Sequence, residues 1–214
     1  MKVENYPKLT VIMRGYTYEQ AMLIIKILSD YDHQLAVEVT TNNPDHLQII
    51  SDGNEQYGDK VYIGVGTVLN LQHAKEAISA GAQFMLGPQQ FTDDIYELAR
   101  DKRVLTIPGA MTPTEVYSQF QKGADIVKIF PAVTVGPAMF KQVQGPLGKR
   151  RLMAVGGVSL NNVQDFFMNG ASYAGIGSNF FNKQDVQSLN EAGLRESVET
   201  FLNLIKPTEA QYVK

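Results

Sequence analysis

Short apolar runs alternate with amphipathic stretches along the whole chain. The runs are Leu9–Met13, Leu35–Val39, Val61–Ile63, Phe84–Leu86, Val104–Ile107, Ile126–Phe130, Leu152–Val155 and Tyr173–Ile176. Each is short enough to be a buried strand. Between them lie stretches with apolar residues at helical spacing, such as Tyr18–Leu28 and Leu71–Ala80. Gly or Pro punctuates most junctions. Thr17 and Thr112 read as helix N-caps, the second followed by Pro113 at the first helical position and Glu115 at the third. Gly81, Gly123 and Gly170 each follow a helical stretch and precede a strand, as C-terminal stop residues do. Eight alternating strand and helix units predict a parallel sheet, and eight in a chain this short predict a single (β/α)8 barrel. An open doubly wound sheet is the alternative. No linker, low-complexity tract or shift in composition divides residues 1–214, so one domain is expected, with a loosely held end after Pro207.

The sixth run carries the exception to the pattern. Asp125-Ile-Val-Lys-Ile-Phe-Pro-Ala132 reads as a buried strand with a lysine in its middle. Side chains alternate along a strand, so Ile126, Lys128 and Phe130 share one face while Val127 and Ile129 take the other. Neither face reads as solvated. An amine held among apolar groups loses its charge more readily and becomes a nucleophile near neutral pH. The plainer reading is a lysine that snorkels to water from a strand end. In the second run Ala36, Glu38 and Thr40 share a face opposite Leu35, Val37 and Val39, which turns Glu38 into a barrel. In the first, Thr10, Ile12 and Arg14 share a face, which puts Arg14 at the mouth. Lys128, Glu38 and Arg14 therefore converge from three strands, at the end where barrels of this kind carry chemistry. A structural ion pair would account for Glu38 and Lys128, but not for Arg14 turning inward beside them.

Glycines collect at the same end, in Gly64-Val-Gly-Thr-Val68, Gly156-Gly157 and Gly175-Ile-Gly-Ser178. Such loops let backbone N–H groups approach an anion. The last two follow the seventh and eighth strands, where barrels often hold a phosphate. Thr67 is placed to offer its hydroxyl and N–H to a carboxylate.

Composition narrows the field further. The chain has 214 residues, 44% of them hydrophobic, and a formal net charge of −3 with no run of like charges. That argues against nucleic acid or an anionic membrane as partner. There is no cysteine, hence no disulfide, thiol nucleophile or thiolate metal site. His33, His46 and His73 lack ligand spacing, so no metal is expected. The first residues show no apolar signal core and no run is long enough to span a membrane, so an intracellular, cytoplasmic protein is expected.

Taken together, these segments resemble the 2-keto-3-deoxy-6-phosphogluconate / 2-keto-4-hydroxyglutarate aldolase family of Schiff-base pyruvate aldolases. The matching stretches are Val-Ile-Met-Arg-Gly (11–15), Val-Glu-Val-Thr (37–40), Ile-Gly-Val-Gly-Thr-Val (63–68), Pro-Gly-Ala-Met-Thr-Pro-Thr-Glu (108–115), Val-Lys-Ile-Phe-Pro-Ala (127–132), Val-Gly-Gly-Val (155–158) and Gly-Ile-Gly-Ser (175–178). The resemblance implies a class I aldolase that needs no cofactor. It would cleave a phosphorylated 2-keto-3-deoxy acid to pyruvate and glyceraldehyde 3-phosphate, in sugar-acid breakdown of the Entner–Doudoroff type. It makes Lys128 the Schiff-base lysine and Glu38 the general acid/base. It gives the pyruvate carboxylate to Thr67 with Arg14 nearby, the apolar walls to Phe130 and Pro88, and the phosphate to Gly156, Gly157, Gly177 and Ser178. Members are typically homotrimers. Two departures bear on the substrate. Gluconate-type members carry an arginine where Asn42 stands and a hydroxyl residue where Val155 stands, and both replacements are similar to members acting on the galactonate epimer. A lost hydroxyl contact can decide between epimers at about 1–3 kcal/mol. Cleavage of 2-keto-4-hydroxyglutarate, a phosphosugar isomerase or epimerase using Glu38 without an imine, and a non-catalytic phosphate-binding barrel are the alternatives.

Overall fold

The structure is a computed structural model and describes residues 1–206. The expected C-terminal end after Pro207 lies outside the described residues. Among the described residues, nine strands form one wholly parallel sheet: β1 Leu9–Met13, β2 Leu35–Thr40, β3 Tyr62–Gly66, β4 Phe84–Leu86, β5 Leu105–Ile107, β6 Gly109–Ala110, β7 Val127–Ile129, β8 Leu152–Val155 and β9 Tyr173–Ile176. Their order is β5-β4-β3-β2-β1-β9-β8-β7-β6. The two edges, β5 and β6, are consecutive in the chain and separated only by Pro108. The sheet therefore curls until its edges meet, which is the barrel and excludes the open doubly wound alternative. The ninth strand is not a ninth unit. Proline has no N–H to give a ladder, so the strand of the fifth run stops at Pro108 and pairing resumes just past that run as the short β6. The Pro108 carbonyl still accepts from Lys128 N at 2.9 Å, and Ile126 N donates to Thr106 O at 3.3 Å, which ties the seam.

The helices follow from the local rules read in the sequence. They are α1 Tyr18–Ser29, α2 His46–Tyr57, α3 Leu71–Ser79, α4 Asp93–Lys102, α5 Pro113–Gln121, α6 Ala132–Val135, α7 Ala138–Leu147, α8 Val163–Met168, α9 Lys183–Ser188 and α10 Glu191–Ile205. Thr17 and Thr112 both form full capping boxes, with Gln20 and Glu115 as the reciprocal partners. Gly81, Gly123 and Gly170 sit at φ of 97°, 100° and 98°, the left-handed turn that ends α3, α5 and α8. Among the described residues no helix is long and apolar enough to cross a membrane.

Alternation along each strand divides the core into two layers. Leu9, Val11, Met13, Leu35, Val37 and Val39 pack outward under the helices. Ile12, Ala36, Phe84, Ile107, Met153 and Val155 fill the barrel. Fully burying a large apolar side chain contributes roughly 1.5–3 kcal/mol, so both layers hold the barrel shut. The N-terminal segment plugs its floor. Tyr6 packs edge-on against Phe84 and Tyr173, with centroids 5.1 and 5.5 Å apart, and its hydroxyl shares a 2.8 Å hydrogen bond with Thr10. With the floor closed by packing, the open end is the one where the strands finish.

Candidate active site

Parallel register brings the expected residues to that end. Glu38 on β2 stands between Ile12 of β1 and Gly64 of β3, and Lys128 on β7 stands between Gly109 of β6 and Met153 of β8. Both point inward, and both are almost wholly buried, Lys128 at 4% exposure and Glu38 at 2%. The lysine does not snorkel. Its ammonium end lies 5.2 Å from the centroid of the Phe130 ring.

Space for the glutamate comes from a missing side chain. A Cβ on Gly66 would fall 1.7 Å from Glu38 Oε1. Glu38 Oε2 is buried and has no hydrogen-bond partner among the described residues. Nor do Glu38 and Lys128 form an ion pair there. A buried charge left in this way is costly unless something else meets it. Burial raises the Glu38 pKa, against the opposing fields of Lys128 and Arg14. Burial also lowers the Lys128 pKa; Glu38 opposes that shift, and Arg14 adds to it. The arrangement yields an amine inclined to be neutral and a carboxyl able to take and return a proton. Those are the requirements for attack on a carbonyl followed by acid–base steps.

Arg14 is exposed at the mouth, as expected. What holds it there is a residue the sequence reading passed over. Asn43 is fully buried, and its Oδ1 accepts from Gly15 N and from Tyr16 N. Its Nδ2 donates to Met13 O at 2.9 Å. One amide thus clamps the end of β1 to the end of β2. Asn42, singled out beside it, is exposed. The missed signal was a polar residue just past a buried strand and just before Pro44. Its partners lie about thirty positions away in sequence, as Met13 does from Asn43, so local pattern cannot reveal them.

A cavity of about 290 Å³ opens at the mouth. Seven of the expected residues line it: Arg14, Phe130, Val155, Gly156, Gly157, Gly177 and Ser178. Tyr16, Val158 and Asn179 line it too and were not anticipated. Gly156 and Gly157 have φ of 97° and 74°, and a Cβ on Gly157 would meet Val133 Cγ2 at 2.5 Å, so only glycine fits the turn. The backbone N–H groups of Gly157, Val158, Gly177 and Ser178 have no acceptor among the described residues. Asn179 Nδ2 donates to Val158 O at 3.2 Å and staples the two loops together. The result is a rigid concavity of free N–H groups, the chemistry of an anion site.

Thr67 and Pro88 stand apart from this cavity, after β3 and β4. Thr67 has φ of 60°, a left-handed conformation that a β-branched residue rarely takes, and its N–H has no acceptor among the described residues. Such strain tends to sit where a ligand is held. Pro88 is half-buried, its carbonyl pressed against Gly109, where a Cβ would come within 2.3 Å. A larger cleft of about 570 Å³ lies at the opposite end of the strands, beside Arg103, Leu105 and Asp125, and has no part in the Lys128–Glu38 arrangement.

The KDPG and KHG aldolase model matches residues 3–195. The chain is 31% identical over 174 residues to the 2-dehydro-3-deoxy-6-phosphogalactonate aldolase of Escherichia coli, covering 81% of this chain and 84% of that protein. It is 36% identical over 132 residues to the 2-dehydro-3-deoxy-phosphogluconate aldolase of Pseudomonas aeruginosa, covering 61% and 59%. A solved structure described as native KDPGal superposes with a TM-score of 0.80 at 29% identity, covering 92% of this chain and 95% of the other. A barrel with a buried lysine and glutamate, matched along nearly its whole length, belongs to the KDPG and KHG aldolase family.

Proposed function

We propose that this protein is a class I aldolase that cleaves a 2-keto-3-deoxy-6-phospho sugar acid, the galactonate epimer by preference, to pyruvate and glyceraldehyde 3-phosphate. One observation carries the reading. Lys128 and Glu38 are buried inside one barrel and not paired to each other, and Glu38 Oε2 is without a hydrogen-bond partner among the described residues. A structural ion pair would have closed that gap.

In the mechanism, neutral Lys128 Nζ attacks the C2 ketone, and the resulting carbinolamine takes up one proton and loses water to give a protonated imine; that proton is released again when the imine is hydrolysed. Glu38, directly or through a water, takes the C4 hydroxyl proton. The C3–C4 bond breaks, its electrons moving into the C2–C3 bond to give an enamine, and the aldehyde departs with the phosphate. Glu38 returns a proton to C3, and water releases pyruvate and the free amine. Thr67, with Arg14 nearby, holds the carboxylate. Phe130 and Pro88 supply apolar walls, while Gly156, Gly157, Gly177 and Ser178 hold the phosphate. Val155, 4% exposed and lining the cavity, presents methyls where a hydroxyl would meet the sugar chain, which supports the galactonate epimer. The phosphogalactonate relative adds to that support. We further propose that residues 1–214 act as one catalytic domain in the cytoplasm, assembled as a homotrimer.

Borohydride reduction in the presence of pyruvate tests the reading. The expected product is a single adduct on Lys128, found by peptide mass spectrometry. Its absence, on a preparation that still cleaves substrate, would sink the imine. Lys128→Arg distinguishes an isomerase, which would keep activity, from an aldolase, which would lose it.

A further inference from the structure

We infer that Tyr16 is a further substrate-binding residue, its phenol hydroxyl donating a hydrogen bond to the phosphate-bearing end of the substrate. The inference rests on the aldolase reading above and extends its anion site by one side chain.

Position is the first argument. β1 pairs with β9, with Val11 opposite Ile176, so the loop after β1 runs beside the loop after β9. Tyr16 therefore stands next to Gly177, Ser178 and Asn179 and lines the same cavity. Lys128 is two strands further round, beyond β8. The second argument is fixation. Tyr16 N donates to the buried Oδ1 of Asn43 at 3.2 Å, and the ring packs against the outer core. The backbone that brings Tyr16 to the cavity is clamped and is not a free loop. The third is an unused donor. Its hydroxyl makes no hydrogen bond among the described residues, yet it is not sealed in the core. Burial alone pushes its pKa to about 12, so near neutral pH it is an uncharged donor that a phosphate dianion does not repel. Finally, the loops supply backbone N–H groups, and Arg14 is the only Lys or Arg among the described residues that lines the cavity. Three phosphate oxygens leave acceptors for another donor.

Tyr16→Phe removes the hydroxyl and keeps the ring. Two measurements decide the matter. The first compares KM and kcat on the phosphorylated 2-keto-3-deoxy acid with those on the same acid lacking phosphate. The second is the Kd of inorganic phosphate by calorimetry. A lost hydrogen bond to a charged acceptor predicts a KM roughly tenfold higher for the phosphorylated substrate and phosphate binding weakened by about the same factor. The kcat and the unphosphorylated reaction should not change. An unaltered phosphate Kd, or equal losses on both substrates, would overturn the assignment. If the native protein neither traps pyruvate nor cleaves substrate, the aldolase reading fails, and the phosphate titration still decides Tyr16 by itself.

Discussion

Lys128 is poised by burial first and by Arg14 second, and the two can be separated. Burial lowers its pKa, the Arg14 guanidinium lowers it further, and Glu38 works against both. Imine formation needs the neutral amine, so its rate falls as pH drops through the Lys128 pKa. Replacing Arg14 by Leu removes a positive neighbour, which raises that pKa. The same change raises the pKa of Glu38, since Arg14 acts to lower it. Both effects move the acid limb of the pH profile to higher pH. Trapping rates with pyruvate, measured across pH, should show the shift in Arg14→Leu, and an unmoved limb would remove Arg14 from the electrostatics. Val155 makes a second prediction at this scale. Val155→Thr keeps the shape and adds a hydroxyl at the cavity wall. Relative kcat/KM should swing toward the gluconate epimer by about fivefold to a hundredfold, the range of one hydrogen bond of about 1–3 kcal/mol.

Among the elements, β3 is the one shaped for its neighbour. Gly64 and Gly66 leave the inner surface of β3 bare, and Glu38 from β2 occupies the space above Gly66. A methyl at Gly66 would overlap the carboxylate and force it away from its buried position inside the barrel. Gly66→Ala is therefore expected to fold, judged by circular dichroism, yet to lose about a hundredfold or more in kcat, since small misplacements at a reacting centre cost that much. A near-native kcat would mean that Glu38 works from another rotamer. Elements were also the most legible part of the chain. The Thr17 and Thr112 capping boxes and the glycine stops at 81, 123 and 170 are local chemistry, settled within a few residues, and all of them occur where the pattern put them. The break at Pro108 was not foreseen. Missing one N–H matters only where a partner strand requires it.

Across the whole molecule, the barrel joins the end that holds Lys128 and Glu38 to a plugged end, and apolar side chains stand exposed on its surface. Leu69, Met111 and Leu160, in loops that follow strands, and Val133, on the short helix α6, are large apolar side chains left exposed. With a chain mass of 23.7 kDa, the proposed homotrimer predicts a sedimenting particle of about three times that mass, and a particle of one or two chains would exclude it. The clamp of Asn43 belongs to this scale as well, since it joins ends of strands separated by a whole helix.

The alternation of the chain determined the barrel, the inward turn of Lys128 and Glu38 and the place of Arg14 at the mouth, and the glycine loops mark the same end. Each of these follows from period, side-chain volume or backbone freedom acting over a few residues. Only the tertiary structure decided that Lys128 and Glu38 are buried without pairing to each other, that Asn43 and not Asn42 is built into the mouth, and that Tyr16 lines the cavity there. Those facts depend on which strands are neighbours and how far side chains reach across the barrel. Contacts of that kind, between residues distant in sequence, exist only once the sheet has closed.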